Sequence, residues 1–130
     1  MTNYDENNIF AKILRGEIPA ARIFDNEHCL AIMDAFPQSK GHCLIVPRAP
    51  SRNILDADPA QLALVIPYVQ QLAKAARSAL MADGIRIVQF NEPTAGQSVF
   101  HLHWHIIPVY EGQELKPHAT GMADATELEE

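Results

Sequence analysis

The sequence predicts an α+β fold: an antiparallel sheet of about five strands, with one long and one short helix. Strand-like runs are joined by connections of hairpin length, one stretch has the apolar periodicity of a long helix, and residues 100–108 alternate as a strand does. Apolar residues make up 48% and charged residues 20% of the 130, which is typical of one globular domain. We expect the helices to cover one face of the sheet and to leave the other open for a ligand.

Two helices are predicted from apolar spacing and from capping residues. The short one, over residues 8–15, has as its apolar positions Ile9, Phe10, Ile13 and Leu14. The long one begins at Asp58, an N-cap residue, followed by Pro59 at the first helical position. Its apolar residues repeat every three to four positions to about Met81, and Asp83-Gly84 is expected to end it. Pro67 lies inside this helix and is expected to bend it.

Five runs are predicted as strands, because β-branched and other apolar residues lie there between turn-forming residues. They cover residues 22–25, 29–33, 41–46, 85–90 and 100–108. The fourth run is apolar on both faces, so we expect it to lie in the middle of the sheet.

Three histidines alternate with apolar residues in the last predicted strand. Side chains of a strand alternate between its faces, so His101, His103 and His105 should share one face. The residues between them are apolar, as a core-facing side should be. Because imidazole can attack as a nucleophile, transfer a proton or bind a metal, this row predicts a catalytic or ligand-binding site.

Two other interpretations of the histidine row are a packed core and a zinc site. Histidines at positions i and i+2 of a strand can share a metal ion, with a carboxylate as a further ligand. The chain has no HExxH or CxxC pattern, and its two cysteines, Cys29 and Cys43, lie well apart. We therefore expect neither a metal nor a cofactor, with zinc as the rival hypothesis.

The loop before the histidine row has the residues of an anion pocket. Gly96 permits close approach of a ligand to the backbone, while Gln97 and Ser98 add an amide and a hydroxyl. Consecutive backbone N–H groups in such a loop can hold phosphate oxygens. Beside a nucleophilic imidazole, the loop predicts a site for a phosphorylated ligand.

The charge and composition exclude several classes of protein. The formal net charge is −6, from 10 basic and 16 acidic residues, which argues against a broad nucleic-acid-binding surface. No apolar run is long enough to cross a membrane, and the N-terminal residues are polar and acidic, unlike a signal peptide. Two cysteines make no disulfide framework. We expect a cytoplasmic protein without membrane partners.

The histidine row and its surroundings resemble a known family. The run His101-Leu102-His103-Trp104-His105-Ile106-Ile107 is similar to the signature of the histidine triad (HIT) family of nucleotide-binding hydrolases and transferases. Other segments resemble the family in the same order, namely residues 9–20, 29–34, 41–47, 91–92 and 95–99. The similarity spans roughly residues 8–109 and is closest to the small purine-nucleoside phosphoramidases.

This resemblance carries implications for the organisation of the protein. It implies a single HIT domain over residues 1–130, with a core of roughly residues 8–109 and a C-terminal tail of residues 110–130. It also implies a homodimer, joined through the long helix and an edge of the sheet.

The resemblance further implies a mechanism. His103, the middle histidine, would attack the α-phosphorus of a purine nucleotide derivative such as a phosphoramidate or a phosphoanhydride. A covalent nucleotidyl-histidine would form and then be hydrolysed. His101 and His105 would contact phosphate oxygens or tune the local field, and Ser98 would donate to the leaving group or to a non-bridging oxygen.

The nucleotide-binding residues implied by the resemblance fall into three groups. Apolar walls for the base would come from Phe10, Ile13 and Ile32. Asp34 would accept hydrogen bonds from both ribose hydroxyls. The phosphate loop would consist of Asn91, Gly96, Gln97, Ser98 and Val99.

One position departs from the pattern of this branch, in which many members have a fourth histidine soon after the third strand. Here the aligned residue is Pro50, so Asn53 or a water molecule would have to orient the triad. His42 and His118 lie outside the motif and receive no role. An alternative function therefore stays open: a nucleotide-binding sensor or scaffold module with little turnover.

Overall fold

The computed structural model describes residues 4–116, which contain two α-helices and five strands. The helices are α1 (Ile9–Leu14) and α2 (Pro59–Leu80). The strands are β1 (Arg22–Asp25), β2 (Cys29–Met33), β3 (Cys43–Pro47), β4 (Gly84–Val88) and β5 (Trp104–Val109). A short 3-10 helix (Pro93–Ala95) lies between β4 and β5. No helix among residues 4–116 is long and apolar enough to span a bilayer.

The sheet has the order β1-β2-β3-β5-β4, and every neighbouring pair is antiparallel. The predicted α+β architecture is thus confirmed. The expected central position of the fourth strand was wrong, because among residues 4–116 β4 pairs only with β5 and forms an edge. An apolar run indicates that both faces of a strand can be buried, but it does not determine whether the strand has one neighbouring strand or two. Ile87 in this edge strand is in fact 50% exposed.

Side-chain caps define where the helices begin. The side chain of Asn8 accepts a hydrogen bond from the N–H of Ala11, and that of Asp58 accepts from the N–H of Ala60. The start predicted for α2 is therefore confirmed, and α2 runs through Pro67. It ends at Met81, which takes a left-handed conformation, whereas Gly84 already begins β4.

Each face of the sheet has its own core. Under α2, buried helix residues pack on Cys43, Ile45 and Trp104. On the opposite face, two residues of α1 pack on alternating residues of β2 and β3; the members of this second core are Phe10, Ile13, Leu30, Ile32, Leu44 and Val46. The expectation that helices cover one face only was wrong, because α1 is amphipathic and buries its apolar side on the second face.

The histidine run enters the sheet later than predicted. β5 begins at Trp104, so His105 is in the strand while His101 and His103 precede it. The N–H of Leu102 donates to the carbonyl of Ser51, 2.9 Å away in the connection after β3, instead of pairing with a strand. The apolar side chains of this run still share one face, because Leu102 and Trp104 both belong to the core under α2.

Candidate active site

His103 is held by the backbone of its own segment. Its Nδ1 lies 2.6 Å from the carbonyl oxygen of His101. A carbonyl oxygen only accepts hydrogen bonds, so Nδ1 donates its proton and Nε2 keeps the ring's lone pair. The ring is 7% exposed, and its centroid lies 4.7 Å from that of Phe10 in an edge-to-face contact. The lone pair of Nε2 is what a nucleophilic histidine needs.

His101 has both ring nitrogens in hydrogen bonds within the protein. Nε2 lies 2.7 Å from the carbonyl oxygen of Pro47 and therefore donates, while Nδ1 accepts from the hydroxyl of Tyr4 at 2.5 Å. The ring is fully buried, and this burial lowers the pKa of His101 to about 4, against the opposing effect of the Pro47 carbonyl. His101 is thus a neutral residue that supports the segment, and the direct phosphate contact expected for it has no ring nitrogen to use.

His105 is hydrogen-bonded to His42, a histidine to which the sequence analysis assigned no role. Nδ1 of the fully buried His42 accepts from the N–H of Gln38 at 2.9 Å, so the proton of this ring is on Nε2. Nε2 in turn lies 3.0 Å from Nδ1 of His105 and 3.3 Å from a carboxylate oxygen of Asp34. His105 therefore accepts at Nδ1 and has its own proton on Nε2. His42 belongs to the site.

A signal for His42 was present in the sequence. His42 lies within the predicted third strand, immediately before β3, and has the same parity as Leu44, which pairs with His105 in the sheet. Side chains of one parity share a face, so His42 and His105 meet as soon as the third and fifth strands are neighbours. The missing information was the strand order.

The same three residues, Asp34, His42 and His105, are close enough to hold a metal ion, with ligand atoms within 4.8 Å of one another. The hydrogen bonds favour a different use. Because Gln38 donates to Nδ1 of His42, the Nε2 that faces the other two groups is protonated and offers no lone pair to a cation. The arrangement fits a hydrogen-bonded chain of Asp34, His42 and His105 better than the zinc site considered from the sequence.

Asp34 lies beside these histidines at the end of β2. One carboxylate oxygen accepts from the N–H of Phe36 at 2.8 Å, and the other faces His42 and, at 3.8 Å, His105. Each oxygen of an ionised carboxylate accepts more than one hydrogen bond, so both retain capacity for a ligand. The position is compatible with the predicted ribose contact and adds a contact to the hydrogen-bonded chain.

The three predicted base-contacting residues differ in where they lie. Phe10 contacts the ring of His103 with its own ring. Ile13 and Ile32 are only 6% and 3% exposed and pack into the second core. Phe10 is therefore the predicted wall residue that the structure brings against the histidines, whereas the other two support it from behind.

The phosphate loop is ordered by its own side chains. Gln97 is 4% exposed; its Nε2 donates to the carbonyls of Arg52 and Val99, and its Oε1 accepts from Asn53 and from the N–H of Glu92. Its backbone N–H donates to the carbonyl of Glu92 at 3.2 Å, so this group is engaged in the loop as well. Gln97 thus has a structural role in the loop, and its contact with a ligand stays a prediction.

Other loop residues divide between support and exposure. Asn91 accepts from the N–H of Ile54 at 2.9 Å and so ties the loop to the connection after β3. Gly96 has φ +107, and a side chain there would meet the ring of Phe90. Gly96 and Ser98 are the exposed residues of the Gly96–Ser98 turn, and Val99 is half-buried.

The role expected of Asn53, replacing a missing fourth histidine, was wrong. Asn53 is 1% exposed, and its amide donates to Glu92 and to Gln97 rather than to the triad. Tyr4 and His42 contact the Nδ1 atoms of the flanking histidines His101 and His105. His118 lies outside the described residues.

Comparison with known proteins agrees with this fold. The HIT domain family matches residues 15–112. A Hit-like protein from Bartonella henselae, described as involved in cell-cycle regulation and solved with an unknown ligand, is 48% identical with a TM-score of 0.91, covering 98% of this chain and 92% of that one.

Two further solved structures are similar. A hypothetical histidine triad nucleotide-binding protein from Sulfolobus tokodaii is 31% identical with a TM-score of 0.84, covering 92% of this chain and 83% of that one. A zinc-bound histidine triad family protein from Mycobacterium smegmatis is 34% identical with a TM-score of 0.80, covering 86% of this chain and 81% of that one. The chain belongs to the HIT family.

Proposed function

We propose that this protein is a hydrolase that cleaves a purine nucleoside phosphoramidate, or a related nucleotide phosphoanhydride, at the α-phosphorus. The observation that carries the proposal is the 2.6 Å contact between Nδ1 of His103 and the carbonyl oxygen of His101. It places the lone pair of His103 on Nε2, and a ring whose other nitrogen is held in this way is ready to attack.

The reaction proceeds in two displacements at phosphorus. In the first, Nε2 of His103 forms a bond to the α-phosphorus, and the bond from phosphorus to the leaving nitrogen or oxygen breaks. The ring gains positive charge, which the hydrogen bond from Nδ1 to the His101 carbonyl stabilises. In the second, a water molecule attacks phosphorus, the P–N bond to His103 breaks, and the nucleoside monophosphate leaves.

The chain of His42, His105 and Asp34 fixes the orientation of His105 beside the ring of His103. His42 donates to His105, whose remaining proton is on Nε2, and the Asp34 carboxylate lies 3.3 Å from His42. The proton that the departing amine or oxygen takes up comes from solvent, and the water that attacks in the second displacement gives one back. Ser98, exposed at the end of the phosphate loop, is a hydrogen-bond donor to phosphate or leaving group.

The covalent step is the experiment that separates hydrolysis from simple binding. Rapid acid quenching of the protein mixed with adenosine phosphoramidate should yield a mass increase of one adenylyl group, located by peptide sequencing at His103. His103→Ala is the matched control and should show no adduct while still binding adenosine monophosphate. Binding with neither adduct nor turnover in the wild type would instead support the sensor or scaffold function.

We also propose a homodimer formed through α2 and the edge strand β4. Large apolar side chains are exposed on both elements: Leu64 is 43%, Ile66 46% and Ile87 50% exposed. An unpaired strand edge beside apolar surface favours association with another chain. Light scattering should give twice the monomer mass for the wild type. Ile87→Lys should give the monomer, and Ile9→Lys, on the distant α1, should leave the dimer intact.

A further inference from the structure

Glu92, in the loop before the histidines, has an unusual backbone conformation. Its φ is +79 and its ψ is 154, a region that glycine occupies readily and other residues almost never do. It immediately precedes the 3-10 helix Pro93–Ala95, which leads into the Gly96–Ser98 turn. A side chain in such a conformation persists only where its surroundings determine it, and such residues concentrate at functional sites.

Every polar group of Glu92 is engaged. Its carboxylate accepts two hydrogen bonds from the guanidinium of Arg52, at 2.8 and 3.0 Å, and a third from Asn53 at 2.6 Å. Its N–H donates to the side chain of Gln97, and its carbonyl accepts from the N–H groups of Ala95 and Gln97. The paired guanidinium also lowers the pKa of Glu92, so the carboxylate is ionised at neutral pH.

Arg52 connects this loop to the histidine segment. Beyond the bidentate pair with Glu92, its guanidinium carbon lies 4.2 Å from the ring centroid of Phe100, the residue before His101. Its carbonyl accepts from the side chain of Gln97 at 2.7 Å. One side chain from the connection between β3 and α2 thus contacts the phosphate loop on one side and the start of the histidine run on the other.

We propose that Arg52 is a positioning residue that, through Glu92 and Phe100, fixes the Gly96–Ser98 turn relative to His103. The inference rests on the proposed function, because the turn matters as the holder of phosphate oxygens during attack. Arg52 needs no contact with substrate in this role. Its planar fork imposes one orientation on the Glu92 carboxylate, which a point charge would not do.

The test compares Arg52→Ala with Arg48→Ala, a control whose arginine pairs with Asp25 in the hairpin of β1 and β2. In Arg52→Ala, amide hydrogen exchange at residues 96–98 should become faster, and affinity for adenosine monophosphate should fall about tenfold. Affinity for adenosine, which has no phosphate, should be unchanged. Arg52→Lys should change the exchange rate and the affinity for adenosine monophosphate in the same direction but by less. Arg48→Ala should match the wild type in both.

A second substitution separates positioning from direct phosphate binding. Glycine adopts the Glu92 conformation without its cost, so Arg52→Ala combined with Glu92→Gly should recover part of the lost affinity. No recovery would mean that Arg52 acts on the phosphate itself and would overturn the proposal. Unchanged exchange and affinity in Arg52→Ala would overturn it as well. Hydrogen exchange and binding affinity are measured without substrate turnover. A failure of the proposed hydrolysis would therefore be detected separately, because no product would form.

Discussion

Nε2 of His42 lies 3.0 Å from Nδ1 of His105, and the direction of this hydrogen bond is set by a third residue. The N–H of Gln38 occupies Nδ1 of His42, which leaves the proton on Nε2. The bond therefore runs from His42 to His105, with the carboxylate of Asp34 beside it. A backbone amide of a surface loop thus determines the protonation pattern of two buried rings.

Removal of metal ions should leave activity unchanged, because a protonated Nε2 of His42 offers no lone pair to a cation. The measurement is the rate of phosphoramidate hydrolysis after dialysis against a strong chelator, with a zinc-reloaded sample as control. Stoichiometric zinc in the purified protein, together with activity that falls on removal and returns on reloading, would contradict this prediction.

His103→Ala should abolish turnover, by roughly a thousandfold or more, because the attacking nitrogen is lost while the pocket stays. Adenosine monophosphate should bind with about the same affinity as to the wild type. Steady-state rates and calorimetric titration measure the two effects, and His28→Ala, on the hairpin of β1 and β2, is the control. A variant that keeps its rate would remove His103 from the mechanism.

Asp34→Asn should weaken the recognition of ribose. A carboxylate that accepts ribose hydroxyls makes charge-assisted hydrogen bonds of about 1.5–3 kcal/mol each, which the amide only partly replaces. The preference for ribonucleotide over deoxyribonucleotide substrates, measured as a ratio of specificity constants, should shrink about tenfold. Asp83→Asn, near the end of α2, should leave the ratio as it is. If the ratio in Asp34→Asn equalled that of the wild type, Asp34 would have no part in ribose recognition and would act only through its contacts with Phe36 and His42.

Acid should destabilise the protein through His101. Burial lowers its pKa from 6.5 to about 4, so between these values the unfolded chain binds a proton that the folded protein does not. The stability contributed by this group is therefore complete above about pH 6.5 and is lost as the pH falls through about 4, by roughly 3 kcal/mol in total.

Denaturant unfolding at a series of pH values measures this effect. His101→Gln should be less stable than the wild type at neutral pH but should lose less stability between pH 6.5 and 4, whereas His28→Gln should keep the wild-type slope. An identical slope in His101→Gln would show that other groups cause the acid sensitivity.

Local features of the fold were predictable from the sequence because local residues determine them. The first two strands have the predicted limits, Arg22–Asp25 and Cys29–Met33, since turn-forming residues flank both. The start of α2 follows from Asp58, whose side chain caps the helix. The third strand is shifted to Cys43–Pro47, because proline can occupy a strand position where its missing N–H is not needed.

The remaining parts of the site depend on contacts between distant segments. Tyr4 reaches His101 across 97 residues, and His42 reaches His105 across 63. The pair of Arg52 and Glu92 spans 40 residues. The periodicity of apolar residues does not predict such contacts, because they form only when the order of the strands in the sheet brings distant segments together. The alternation of the histidine run predicted the shared face of its core residues, but not the departure of His101 and His103 from the ladder.

The six residues of α1 have a consequence for how the site is closed. Phe10 covers His103 from a helix that is far too short to persist alone and is held by the Asn8 cap and by apolar contacts with the sheet. The free energy needed to detach this one turn and a half is therefore lower than that needed to unfold the sheet. Because Phe10 lies on this helix, local detachment of α1 would expose the ring of His103 to solvent without unfolding the sheet.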